Sequence, residues 1–137
     1  MEEKIVSSLL GLGAFGAYFG ISIGLLMVFA MLYALITPYP ELSLIREGNM
    51  AAACSYSGAL LGFVIPLASA VTHSVSLTDM IVWGFVALVV QAAAFLVVKL
   101  IFPSIIQDIP HNQTAKGLFL GVVSLAVGIV NAACMTY

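Results

Sequence analysis

Gly48-Asn49-Met50-Ala51-Ala52-Ala53-Cys54-Ser55-Tyr56-Ser57-Gly58-Ala59-Leu60-Leu61-Gly62 is the stretch in which a short polar segment turns into a long apolar one. It decides the fold because the chain makes the same turn twice. Shifted by 63 positions, Pro40, Asn49, Ala52 and Gly58 fall on Pro103, Asn112, Ala115 and Gly121. The chain therefore reads as two tandem copies of one unit, each an apolar span, a polar link and a second apolar span.

Composition sets the solvent. With 63% hydrophobic and 7% charged residues and a mean hydropathy of +1.19, the chain has too few charges to coat a soluble globule, whose charged fraction is about 25%. It reads as an integral membrane protein, and 137 residues hold about four spans of roughly 20 residues with nothing over for a soluble domain. A net charge of −2 with four basic residues gives no patch for nucleic-acid phosphates. Met1-Glu2-Glu3-Lys4 is not the basic opening of a signal peptide, so the first span is expected to stay. Cys54 and Cys134 fall at opposite ends of like-directed spans. They read as small packing residues, too far apart for the roughly 7 Å that a disulfide allows between Cα atoms.

Working outward, span one is expected at about Leu9 to Ile36, with Gly13, Gly16, Gly20 and Gly24 on one face, a face that admits close approach of another helix. The link 37–48 mixes three charges with Leu42, Leu44 and Ile45, which suits a short interfacial helix. Span two, about Met50 to Thr72, carries Ala51, Ser55, Gly58, Gly62 and Ser69 on one face, and Pro66 is expected to bend its far end. Span three, about Met80 to Phe102, is expected to be capped by Thr78 or Asp79. It has no glycine face apart from Gly84 and is expected to be more lipid-facing. Span four, about Ala115 to Met135, repeats the small-residue stripe as Gly117, Gly121, Ser124, Gly128 and Asn131.

The fold class expected is thus an all-α membrane protein, one domain, with four transmembrane helices as two tandem two-helix repeats (about 9–72 and 73–137) in parallel orientation. Two spans per unit give the units one orientation. Arg46, Lys99 and Lys116 flank the links against Lys4 alone on the other side, so the positive-inside rule places the links in the cytoplasm and both termini in the periplasm.

An ionisable group inside a membrane is by default a functional candidate, yet no Asp, Glu, Arg or His falls near the middle of any span. That separates the chain from rotary proteolipid subunits and small multidrug antiporters, which need a mid-membrane carboxylate. What remains is uncharged: Ser55 and Ser57 on span two, Gln91 at the centre of span three, Ser124 and Asn131 on span four. Each reads as interhelical glue at about 0.6 kcal/mol per hydrogen bond, or as the lining of a polar pathway, for which the carboxamides of Gln91 and Asn131 are the sharper candidates. Asn49 and Asn112 stand where each link enters a span. They read as helix caps, or as marking two paired helix N-termini able to take an anion or a partner. Glu41, Arg46, Glu47, Asp108 and His111 are placed with them on a cytoplasmic docking rim. Nothing at ligand spacing completes a metal site from His111 and Asp108, no catalytic elbow, zinc helix or phosphate loop is present, and no cofactor is expected.

The run Ile45-Arg46-Glu47-Gly48-Asn49-Met50-Ala51-Ala52-Ala53 leading to Gly58 and Gly62, with Ala126-Val127-Gly128-Ile129-Val130-Asn131-Ala132-Ala133-Cys134-Met135 at the end, resembles the bacterial domain-of-unknown-function family 350, the YjfL-like inner-membrane proteins. The resemblance covers nearly the whole chain. It implies a duplicated four-span layout and the bacterial inner membrane, and leaves the activity open. Two functions fit these features. One is a non-enzymatic scaffold or envelope-stress component, a homo-oligomer with a dimer favoured, that docks a cytoplasmic protein on its links. The other is a small oligomeric channel or transporter with an uncharged polar pathway.

Overall fold

The structure is a computed structural model that describes residues 1–135. Among the described residues all regular structure is helical: α1 Glu2–Ile36, α2 Glu41–Arg46, α3 Met50–His73, α4 Leu77–Ile101, α5 Ile105–Asp108 and α6 Thr114–Cys134. Four of these, α1, α3, α4 and α6, are long and apolar enough to cross a membrane. The two short ones lie in the links.

Local chemistry sets the helix ends. Asn49 caps α3, its side-chain oxygen accepting from the Ala52 amide at 2.9 Å. α4 begins earlier than the sequence suggested, because Ser76 takes the cap: its hydroxyl accepts from the Asp79 amide at 3.2 Å, and the Asp79 carboxylate accepts from the Val75 amide at 3.4 Å. This differs from a capping box in that the carboxylate reaches the residue before the cap and not the cap's own amide. α3 runs on through Pro66 to His73.

The centre of the protein is the contact between α3 and α6, where helix backbones touch. A Cβ at Gly117 would lie 2.6 Å from Ala51 Cα, and one at Gly128 would lie 2.6 Å from Gly62 Cα. One at Gly58 would overlap the backbone of Gly121. The contacts step from Ala51 to Gly62 along α3 and from Gly117 to Gly128 along α6, so the two helices climb in the same direction. Any side chain larger than hydrogen at these points would force them apart, which is how small residues hold helices together in lipid.

α4 packs against this pair with Met80, Gly84, Ala87, Gln91, Ala94 and Val98 buried, a stripe spaced by three and four residues. It is less covered than α3 but more covered than α1 and α6, because Gly84, Ala87 and Gln91 supply the close face that a run of glycines supplies elsewhere. α1 is the most exposed span. Its C-terminal part enters the core through Phe29, stacked on Phe63 at 4.4 Å between ring centroids, and Tyr33, edge-on to Phe95 at 5.9 Å. At Gly11, Gly13, Gly16, Gly20 and Gly24 a Cβ would meet nothing within 4 Å. With 35 residues, α1 is about 52 Å long, against a hydrocarbon layer of about 30 Å.

Candidate functional site

The two links fold onto each other at the foot of α3. Asn49, besides capping its own helix, donates its side-chain amide to the Ile109 carbonyl at 2.8 Å and the Pro110 carbonyl at 3.2 Å. Asn112 does not cap α6, whose N-cap is Gln113 without a side-chain bond. It sits in the left-handed region at φ 59°, which asparagine tolerates better than most residues, and its side-chain oxygen accepts from the Ala51 amide at 3.1 Å. Both asparagines thus serve one helix start, α3. The amides of Ala51 and Ala52 are already bonded, which leaves them no capacity for an anion.

Below this junction lies a buried polar cluster that the sequence reading divided between the rim and the spans. Pro40 starts α2, and residues 41, 44 and 45 share one of its faces. Leu44 and Ile45 on that face pack against the core, and Glu41 goes in with them, 1% exposed. No hydrogen bond reaches either carboxylate oxygen. The nearby Thr37 hydroxyl is directed at the Tyr33 and Ala34 carbonyls at 3.2 and 3.3 Å. Around the carboxyl stand three phenols: Tyr33 of α1, Tyr39 of the link and Tyr56 of α3. Tyr56 donates to the Ala30 carbonyl at 2.9 Å. The hydroxyls of Tyr33 and Tyr39 close no hydrogen bond, although Tyr33 faces Ser124 and Tyr39 faces Ser55. Ser124 Oγ is likewise unpartnered, while its carbonyl accepts from Gln91 Nε2 at 3.0 Å.

Burial pushes the Glu41 carboxyl up to about 8, a rise that the Thr37 hydroxyl partly offsets. The charged form loses its water and gains no cation. Among the described residues Glu41 has no ion-pair partner. Burial, and then the charge of Glu41, push the Tyr39 phenol up as well. Asp108 behaves oppositely. Partly buried on the second link, it is held below the usual carboxylate range first by its hydrogen bond from Lys116 and then by that from Ser104.

The other candidates are distributed as follows. Ser55 is buried and donates to the Ala52 carbonyl at 3.1 Å. Gln91 is fully buried and clamps α4 to α6. Ser57 is exposed on the outer side of α3. Asn131 lines a groove of about 360 Å³ with Val90, Val127, Val130 and Cys134, apart from Gln91 and open to the outside. Arg46, Glu47 and His111 are exposed on the rim, with the His111 ring against the Gln107 carbonyl at 2.7 Å. No group of three or more potential metal ligands occurs among the described residues.

This arrangement can be set against known proteins. The model for the family described as Domain of Unknown Function (DUF350) matches residues 7–135. The chain belongs to this family. It is 46% identical over 133 residues to the UPF0719 inner membrane protein YjfL of Escherichia coli (strain K12), covering 97% of this chain and 98% of that protein. It is 28% identical over 119 residues to the UPF0719 transmembrane protein YshE of Bacillus subtilis (strain 168), covering 85% and 89% of the two. No solved structure matches. No activity is established for the family, so the DUF350 assignment gives the phenol-lined carboxyl no role. Glu41, Tyr33, Tyr39 and Tyr56 form the group that the sequence reading missed as a site. The available signal was the three-and-four spacing of Glu41 with Leu44 and Ile45.

Proposed function

We propose that the protein is a non-enzymatic component of the bacterial inner membrane whose two links form one cytoplasmic face that docks a partner protein. The observation that carries this reading is the joining of the links by Asn49 and Asn112 above an α3–α6 contact in which backbone meets backbone. A face tied to rigid spans suits recognition, and a backbone-to-backbone contact holds no file of water. Exposed Arg46, Glu47, Gln107 and His111 supply its polar surface. The names of the relatives support the inner membrane, and the excess of basic residues near the links supports their cytoplasmic placement. The like-directed α3 and α6, each entered from an asparagine-bearing link, support a tandem duplication in parallel orientation. The uncovered glycines and excess length of α1 support a homodimer.

The test is photo-crosslinking in cells from residues substituted at Arg46 and His111, with adducts identified by mass spectrometry. Both positions are expected to trap the same cytoplasmic protein, and Asn112→Ala, which loosens the junction, is expected to weaken both adducts. The channel reading makes the opposite forecast. Proteoliposomes would pass a solute, Asn131→Leu would abolish its movement, and no adduct would form.

A further inference from the structure

A carboxyl group that is 1% exposed, accepts no hydrogen bond and has no cation beside it is not stable as an anion. Each element packed around it presents an uncharged group. α1 brings Tyr33 and Thr37, the link brings Tyr39, and α3 brings Tyr56. α6 and α4 reach the cluster through Ser124 and Gln91, which are uncharged. Arg46 and Glu47, on or next to its own helix, are exposed at the far end of α2. Among the described residues every polar neighbour is a phenol, a hydroxyl or a carboxamide, able to bond a neutral acid and unable to neutralise an anion.

We propose that Glu41 is a proton-binding site: its carboxyl sits among Tyr33, Tyr39, Tyr56 and Thr37 as a neutral acid, and loss of its proton to water unseats α2 from the core. The step is Glu41–COOH giving Glu41–COO⁻ and one proton to bulk solvent, with no other reactant. Seated and unseated states then differ in where Leu44 and Ile45 pack and in how Arg46 and Glu47 are presented. The inference concerns the inside of the protein and stands whether or not a partner docks on the rim. The elevated titration of the group, near 8, puts the change within reach of a cell's internal pH.

The experiment is an infrared titration of the protein in lipid nanodiscs from pH 6 to 10, with hydrogen exchange of the α2 amides over the same range. Expected is a carboxylic-acid carbonyl band at neutral pH that disappears on alkalinisation and is absent from Glu41→Gln. Protection at the Leu44 and Glu47 amides, corrected for base catalysis, is expected to drop at least 10-fold in the wild type and to hold in Glu41→Gln. If Glu41→Gln does not fold, ¹³C-glutamate labelling of the wild type assigns the band, since Glu2, Glu3 and Glu47 are exposed. A carboxylate signal throughout, or equal loss of protection in both proteins, overturns the proposal. A midpoint that moves with sodium or potassium but not with choline overturns it in favour of a cation site.

Discussion

Replacing Gly62 with Ala sets one methyl group where α3, α4 and α6 meet. Its carbon would lie 2.7 Å from Gln91 Nε2 and 2.8 Å from the Ser124 carbonyl carbon, whereas ordinary contacts between carbon atoms fall at about 3.5–4.0 Å. The interface must therefore open by about 1 Å. No side-chain rotation provides it, because the Ser124 atoms are backbone. Gln91 can turn aside only by giving up its 3.0 Å bond to the Ser124 carbonyl. Overpacking of this kind costs about 1–3 kcal/mol, and an interhelical hydrogen bond in a membrane contributes about 0.6 kcal/mol more. Against this, alanine gains up to about 1 kcal/mol over glycine in helix propensity. The net expectation is a loss of about 1–3 kcal/mol. The assay is titration with sodium dodecyl sulfate from mild-detergent micelles, followed by the fluorescence of Trp83, the single tryptophan. Gly20→Ala on α1, where a methyl group meets nothing within 4 Å of the single chain, is the control in monomeric protein and is expected there to be neutral or slightly stabilising. An unchanged midpoint for Gly62→Ala, or an equal loss in Gly20→Ala, refutes the close α3–α6 contact.

Four further outcomes are expected. Asn112→Ala removes the bond to the Ala51 amide and is expected to cost about 0.5–2 kcal/mol, whereas Asn49→Ala also strands the Ile109 and Pro110 carbonyls and is expected to cost more, both read in the same titration. Glu41→Gln is expected to change the pH dependence of stability. A folded-state value near 8 against 4.5 when unfolded means that the contribution of Glu41 is full below about 4.5 and is lost as pH rises towards 8. The wild type is therefore expected to weaken relative to the variant across that window, by up to about 1.4 kcal/mol per pH unit. Lys116→Ala is expected to raise the Asp108 titration measured by carbon NMR, with little effect on the unfolding midpoint, because the pair is still reached by solvent. Tyr56→Phe, which strips the donor from the Ala30 carbonyl, is expected to cost about 1 kcal/mol and to loosen the α1–α3 contact seen by hydrogen exchange near Ala30.

Hydropathy and punctuation were enough to find four spans and the short helix of the first link, though not α5 in the second, with ends displaced by a few residues except at the N-terminus of α1, which begins at Glu2 rather than near Leu9. The glycine stripes of α3 and α6 were visible too, since a face of small residues is a one-dimensional pattern. What such a pattern lacks is the identity of the partner. α1 carries an equally regular glycine stripe, and none of the described residues covers it. Asn112 occupies the position equivalent to Asn49, yet it caps the helix that Asn49 already caps, because the second link folds back across the first. Glu41 was grouped with Arg46 and Glu47 by charge, while its burial follows from its phase on α2. Six residues are a short window in which to read phase, and the polar end of the helix disguised it.

That short helix is where the structure has freedom left. A helix of six residues has no stability of its own in water, where isolated helices shorter than about 12–15 residues are marginal. α2 therefore exists as a helix because Glu41, Leu44 and Ile45 are seated in the core. The spans cannot yield in the same way, since α3 and α6 touch through their backbones and any separation forfeits the contacts that hold them in lipid. A change in the charge of Glu41 thus bears on an element held by tertiary contacts alone, next to spans that are locked. Movement is expected at Glu41–Arg46 and in the link around it, while the α3–α6 contact stays closed in both states.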